Sequence, residues 1–159
     1  MKFIFILLFS SPLFSFAQQK DTVAIKGANR IIVVTNRPAR DNYQLIILAF
    51  KDNGYILQEI DPDSLTVLTT PQRAESANTS YQMKGVAREN EIIFSGTYSS
   101  RVESSISGAS YKTFVNDISN AGKKGSASRY AFNVMDILAK QIPGKIFYTI
   151  NRTRRISVF

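Results

Sequence analysis

The sequence contains no cysteine and no histidine. Without cysteine there is no disulfide scaffold, no thiol nucleophile, no thiolate metal site and no lipid-modified cysteine. Without histidine, imidazole-based catalytic triads, histidine metal ligands and histidine proton shuttles are excluded as well. The fold must therefore be stabilised by packing, no cofactor is predicted, and few catalytic chemistries remain.

The motifs of serine catalysis are missing too. Neither Ser-x-x-Lys nor Gly-x-Ser-x-Gly occurs, and residues 110–112, Ser-Tyr-Lys, have the wrong spacing. Glu59, Asp61 and Asp63 lie close together and could supply the carboxylate pair of a glycoside hydrolase. Pro62 between the aspartates is, however, typical of a solvated turn, and the sequence favours that interpretation.

Residues 1–17 have the features of a cleavable export signal. Lys2 supplies a positive charge, residues 3–9 are uninterruptedly apolar, and small residues stand three and one positions before a cut at Gln18. The apolar run ends at residues 10–12, short of the roughly 20 residues that a membrane-spanning helix needs. A retained membrane anchor is the alternative. We expect an exported protein, periplasmic or secreted, with no transmembrane segment after signal removal.

The rest of the chain predicts a single domain. Residues 18–28 are largely polar and predict a flexible N-terminal arm. Residues 29–159 show no repeat and no internal linker, so they predict one α+β domain that is large enough to bury its own core.

Periodic apolar patterns predict the first elements of this domain. The β-branched residues 30–35 predict a strand. A helix is predicted after Pro38, with apolar residues at helical spacing up to position 50, and Gly54 ends it. Residues 56–70 predict a strand, a turn and a second strand, and residues 80–98 predict a hairpin around residues 88–90.

In the second half of the domain the sequence predicts two loops, one element of ambiguous type, a helix and a strand. Residues 71–79 predict a loop, and the serine- and glycine-rich residues 99–110 predict a long loop or a mobile flap. Residues 111–118 fit a short helix or a strand. A helix is then predicted from the N-cap candidate Ser126 to the stop at Pro143 and Gly144, followed by a strand over residues 146–150.

These elements predict an α+β fold in two layers. The sheet is antiparallel and mostly hairpin-connected, and two main helices pack on one of its faces.

Two stretches of the chain carry a family resemblance. They are Asn53-Gly54-Tyr55 leading into Ile60-Asp61 and residues 65–70, and Lys124-Gly125-Ser126 before Ala131, Phe132 and Met135. In them the chain resembles small exported bacterial domains with a fold like that of the TATA-box-binding protein, or with the helix-grip shape of outer-membrane assembly accessory lipoproteins. The resemblance implies a binding or scaffolding role and no catalytic residues. The missing cysteine is a departure, because it forbids the lipid anchor of the assembly lipoproteins.

The basic charge is concentrated in the C-terminal third. Residues 18–100 carry nine basic and nine acidic side chains, whereas residues 101–159 carry ten basic and three acidic ones. This asymmetry indicates an acidic partner, namely an anionic envelope polymer, a lipid headgroup or an acidic protein. Export argues against nucleic acid, and no nucleic-acid reading motif accompanies the basic residues. A solvated surface that favours solubility is the alternative.

Two basic clusters are candidates for binding this partner. One lies in the loop that enters the second helix, where free N–H groups attract anions; a capped helix behind a solvated loop would look the same. The other lies near residue 159, where arginine forks suit phosphate or carboxylate groups; a frayed tail is the alternative. The candidate residues are Lys123, Lys124 and Ser126 in the first cluster and Arg152, Arg154 and Arg155 in the second.

The sequence is compatible with three functions. The favoured one is a non-enzymatic binding or scaffolding module of the bacterial envelope whose basic C-terminal third contacts an acidic partner. A carboxylate-dependent hydrolase is the second. The third is a structural subunit of an envelope assembly, for which an exposed apolar patch on the sheet would be the marker.

Overall fold

The architecture is seen in a computed structural model that describes residues 21–74, 79–104 and 110–151. The export signal and the terminal arginines Arg152, Arg154 and Arg155 lie outside these described residues. In chain order the elements are β1 (Arg30–Val34), α1 (Ala39–Asp52), β2 (Leu57–Asp61), β3 (Thr66–Thr69), β4 (Gln72–Arg73), β5 (Thr79–Arg88), β6 (Glu91–Ser104), β7 (Ser110–Asp117), α2 (Ala127–Gln141) and β8 (Lys145–Thr149).

The strands form one antiparallel sheet in the order β2-β3-β5-β6-β1-β8, with β4 paired to β5 and β7 paired to β6. Of the described strands, the first, β1, therefore lies between β6 and the last, β8. Along β5 the residues Tyr81, Met83 and Ala87 are buried, and they alternate with more exposed neighbours. Because side chains of a strand alternate between two faces, these residues mark the core face of the sheet.

Both helices pack on this core face. Ile46 and Phe50 of α1 and Phe132 and Met135 of α2 are fully buried in one hydrophobic cluster with the core face of the sheet. The ring of Phe50 meets the ring of Phe94 on β6 edge-on, with centroids 5.9 Å apart. The predicted two-layer α+β fold, with an antiparallel sheet and two helices on one face, is confirmed.

The helices begin and end close to the predicted positions. Pro38 and Ser126 are the residues immediately before α1 and α2, in extended backbone conformations. The first backbone N–H of α1, at Ala39, donates to the carboxylate of Glu89 at 3.1 Å, so the hairpin turn caps this helix. Among the described residues, neither α1 nor α2 has the length and apolar character that crossing a membrane would demand.

A buried asparagine connects α1 to the strands. Asn42 is fully buried, and its side-chain amide donates to the backbone carbonyls of Arg37 at 3.1 Å and Arg88 at 2.8 Å. Its side-chain oxygen accepts from the hydroxyl of Thr35 at 2.6 Å. One amide thereby satisfies three polar groups from two loops.

The predicted loop over residues 99–110 is wrong where the structure describes it. β6 runs through Ser104 and β7 begins at Ser110, and the two strands pair over eight residues. Serine has a low intrinsic preference for strands, but here cross-strand pairing overrides it; the hydroxyls of Ser80 and Ser99, for example, lie 2.8 Å apart. Residues 111–117, for which helix and strand were both open, are strand.

The short β4 lies inside the loop predicted for residues 71–79, where Gln72 pairs with Tyr81.

Part of the predicted arm is held against the domain. Ala28 is fully buried, and the backbone of Asp21 exchanges hydrogen bonds with Tyr148 on β8. The side-chain amide of Asn120 donates to the carbonyls of Ala24 and Ile25 at 3.0 and 3.1 Å. These hydrogen bonds connect residues 21–28 to β8 and to the segment before α2, and the sequence pattern gave no indication of these partners.

Candidate functional site

The face of the sheet that points away from α1 and α2 carries several cations. On β5 this open face carries Lys84, Val86 and Arg88, the positions that alternate with the core residues. Register places Arg30 of β1 and Ser95 of β6 on the same face. No helix of the described chain covers this face, because both helices pack on the other side.

A fork in the sheet shapes the open face. β6 pairs with β5 along one side, but on its other side it pairs with β1 over Glu91 to Phe94 and with β7 over Thr97 to Ser104. Between these partners, the carbonyl of Gly96 accepts a hydrogen bond from the backbone N–H of Ile118 at 2.9 Å. The two partner strands diverge here and leave a gap.

Glycine is required at the fork. A Cβ atom at position 96 would overlap the backbone carbonyl of Gln82 and lie 2.7 Å from the side chain of Ile118. Ile118 is fully buried. The chain that leaves β7 can therefore cross close to β6 only because residue 96 lacks a side chain.

The gap forms an open groove with a volume of about 290 Å³, near the lower end of ordinary ligand pockets. It is lined by Asn29, Arg30, Leu68, Gln82, Lys84, Ser95, Gly96, Thr97, Asp117 and Asn151. A smaller recess of about 110 Å³ adjoins it, lined by Arg30, Lys84, Val86, Arg88, Ile93 and Ser95. Arg30, Lys84 and Ser95 line both.

The two groove cations flank a hydroxyl. Lys84 pairs with Ser95, and the registers of β5 with β6 and of β6 with β1 place Arg30 on the other side of Ser95. With strands roughly 4.8 Å apart, the Cα atoms of Lys84 and Arg30 are about 10 Å apart. In the part of the chain that the structure describes, neither cation forms an ion pair. Arg88, in contrast, lies 3.8 Å from the carboxylate of Glu91.

Hydrogen bonds fix the walls of the groove. The side-chain amide of Asn29 donates to the carbonyl of Asn151 at 2.9 Å, and the backbone N–H of Asn151 donates back to the side-chain oxygen of Asn29 at 2.6 Å. On the opposite wall, the amide of Gln82 donates to Gln58 and to the carbonyl of Thr69, both at 2.8 Å. The groove is thus built on strands and fixed neighbours.

The predicted loop cluster lies on the other side of the sheet. Lys123 and Lys124 are exposed in the turn before α2. Ser126 occupies the N-cap position, but its hydroxyl makes no cap hydrogen bond and donates to the carbonyl of Ala121 at 3.3 Å. The recess beside it, about 320 Å³, includes the core-face residue Tyr98 in its lining and neither lysine. The structure therefore does not bring these lysines into a pocket or next to the open-face groove.

The second predicted cluster lies outside the described residues. Arg152, Arg154 and Arg155 follow Asn151 in the sequence, and Asn151 lines the groove.

Of the three candidate carboxylates, that of Asp61 is occupied with turn formation. The carboxylate of Asp61 accepts from the backbone N–H groups of Asp63 and Ser64 at 2.9 and 3.2 Å and from the Ser64 hydroxyl at 2.6 Å. These hydrogen bonds, above all the one from the Ser64 hydroxyl, lower the pKa of Asp61. A general acid needs the opposite shift. Glu59 and Asp63 are exposed, and no acidic cluster suited to a metal occurs among the described residues.

Sequence reasoning missed the groove cations, although one signal was present. Lys84 and Arg88 alternate with Met83, Gly85 and Ala87 in the predicted hairpin, which places them on the solvent side of that strand. That Arg30 joins them depends on strand order, which the hairpin pattern does not specify.

Comparison with known proteins adds no assignment. No protein-family model matches the chain, and neither a curated protein nor a solved structure is significantly similar to it. The resemblance to TATA-box-binding-protein-like and helix-grip domains therefore stays a prediction.

Proposed function

We propose that the mature chain is an exported, non-enzymatic binding or scaffolding module of the bacterial envelope, and that its open sheet face binds an acidic partner. The observation that carries the proposal is the groove at the fork, where Arg30 and Lys84 flank Ser95 without a carboxylate partner among the described residues. The export signal supplies the location.

The electrostatics of the groove support an anionic ligand. Two uncompensated cations beside a concave surface raise the local concentration of anions. Charge-assisted hydrogen bonds from arginine and lysine to phosphate or carboxylate are stronger than neutral ones. Asp117 contributes one negative charge to the lining of the groove.

One cluster expected from the sequence follows a groove residue along the chain. Asn151 lines the groove, and Arg152, Arg154 and Arg155 come directly after it in the sequence. We expect these arginines to add to the attraction of an acidic partner. The lysines of the turn before α2 lie on the other side of the sheet and give a comparison site.

The test is co-sedimentation of the purified mature protein with envelope fractions of its own cells at low and high salt. We expect binding to weaken with salt, since exposed charges are screened. Replacing Arg30 and Lys84 together by glutamine should reduce binding about a hundredfold or more, because each of the two contacts to a charged group contributes about 1.5–3 kcal/mol and about 1.4 kcal/mol corresponds to a factor of ten. Lys51→Gln is the matched control, as Lys51 is an exposed cation in the last turn of α1.

Two outcomes would overturn the proposed site. One is unchanged binding of the Arg30 and Lys84 double variant. The other is loss of binding in a Lys123→Glu and Lys124→Glu variant alone, which would move the interaction to the turn before α2. Far-UV circular dichroism and urea unfolding of each variant establish that it is folded.

An edge strand supports the structural-subunit alternative. Among the described strands, β7 pairs only with β6, and its residues Phe114 and Val115 are 43% and 59% exposed. An apolar strand at the edge of a sheet is a template for pairing with another chain. Ile32 and Ile93, at the centre of the open face, are only 5% and 7% exposed, so β7 is a better candidate for assembly than the open face. A Val115→Lys variant whose sedimentation velocity equals that of the parent at high concentration would argue against this role.

A further inference from the structure

We infer that the open-face groove holds a phosphate group carried by a sugar or polyol; this rests on the proposed function and specifies its ligand. The inference starts from the row Lys84, Ser95 and Arg30, in which three neighbouring strands each contribute one hydrogen-bond donor. All three line the groove and the adjoining recess.

The number and charge of these donors favour phosphate over carboxylate. A carboxylate presents two oxygens in one plane and can be satisfied by a single arginine fork. A phosphate monoester carries close to two negative charges near neutral pH and presents three acceptor oxygens. Two cations with a hydroxyl between them match both its charge and its number of oxygens. Lys84 and Arg30, about 10 Å apart at Cα, are long enough to converge over Ser95.

The remaining lining favours hydroxyl groups next to the phosphate. Beyond the cations the groove is lined by Gln82, Thr97, Asp117, Asn29 and Asn151. Amide, hydroxyl and carboxylate groups accept and donate hydrogen bonds to the hydroxyls of a sugar or polyol. Asp117 in particular would repel a second phosphate but accept from a hydroxyl. Among the described residues, Leu68 is the only large aliphatic side chain in the lining of the main groove, so an acyl chain finds little complementary surface there.

The inference can be tested on the mature protein with four small probes. They are glucose 6-phosphate, glycerol 3-phosphate, glucuronate and glucose, each titrated by NMR or calorimetry at low salt. We expect both phosphate esters to bind at least tenfold more tightly than glucuronate, and glucose to bind too weakly to measure. Ser95→Ala should weaken the phosphate esters several-fold and leave glucuronate nearly unchanged. Arg30→Lys, which keeps the charge but loses the fork, should weaken them less than Arg30→Gln.

Each result has a defined meaning. Equal affinity for glucuronate and glucose 6-phosphate, or phosphate binding that survives Arg30→Gln and Lys84→Gln, overturns the inference. If the phosphate esters fail to bind while envelope association still depends on Arg30 and Lys84, the ligand class is wrong and the proposed function stands. If envelope association is also independent of these residues, the phosphate inference and the proposed function both fail. Lys51→Gln should bind every probe as the parent protein does.

Discussion

A close contact between α1 and the sheet allows a quantitative test of the fold. Gly85 on β5 is buried beneath Ile46, and a Cβ atom at position 85 would lie 2.5 Å from Cγ2 of Ile46 and 3.4 Å from its Cδ1 and Cγ1. Carbon atoms in contact normally lie about 3.5–4.0 Å apart. Ile46 is fully buried, so α1 or its side chain has to shift when Gly85 is replaced by alanine.

The expected energies follow from this geometry. Overpacking of a core destabilises it by about 1–3 kcal/mol. Replacing glycine also makes the unfolded chain less flexible, which stabilises the folded state by about 0.4–1 kcal/mol. We therefore expect Gly85→Ala to lower the free energy of unfolding by about 1–2 kcal/mol on this balance. Ile46→Ala alone should lower it by about 2–5 kcal/mol. In the double variant the new methyl group occupies space that Ile46 has vacated. The loss of unfolding free energy in the double variant should therefore be smaller than the sum of the two single losses by about 1 kcal/mol or more.

Urea unfolding of the parent, both single variants and the double variant measures this coupling. Tyr148→Phe on β8 is the control, because three strand intervals, roughly 14 Å, separate β8 from β5. Its effect should add to that of Gly85→Ala within about 0.5 kcal/mol. Additive effects of Gly85→Ala and Ile46→Ala would refute the packing of α1 on β5.

Three further predictions concern single polar groups. Asn42→Leu should lower the free energy of unfolding by at least about 2 kcal/mol, since it leaves two backbone carbonyls and a hydroxyl without their partner; a loss below about half of that in urea unfolding would contradict this role. Tyr43→Phe should raise the thermal unfolding midpoint slightly, because the Tyr43 hydroxyl is buried without a hydrogen-bond partner in the described chain; a lower midpoint would count against it. The pKa of Asp61 lies below the ordinary 3.8. Its charged carboxylate therefore stabilises the folded state fully above about pH 3.8, and this stabilisation is lost as the pH falls through the lowered pKa. The difference in unfolding free energy between the parent and Asp61→Asn should therefore be constant near neutrality and shrink in acid, and a pH-independent difference would disprove it.

Local patterns were enough to predict the elements with strong apolar periodicity. The stripe that contains Phe132 and Met135 predicted α2, and alternation around Met83 predicted β5 together with its core face. Each of these elements buries one continuous face, and burial of one face produces a periodic apolar pattern within a short stretch of sequence.

Elements that depend on distant partners were not predictable in this way. Ser99 and its neighbours have loop-like composition, and only pairing with β5 and β7 makes them strand. The groove shows the same limitation, because Arg30, Lys84 and Ser95 are far apart in the sequence and meet through the order of strands in the sheet. Strand order is a property of the whole chain, so no window of residues contains it.

The mutual hydrogen bonds of Asn29 and Asn151 join positions 122 residues apart. One wall of the groove therefore cannot exist until β8 has docked beside β1. We expect a partly folded chain in which β8 is still detached to have no affinity for anions at this place. A ligand of the groove would then bind only molecules whose sheet is complete, so that anion binding would report on folding as well as on charge.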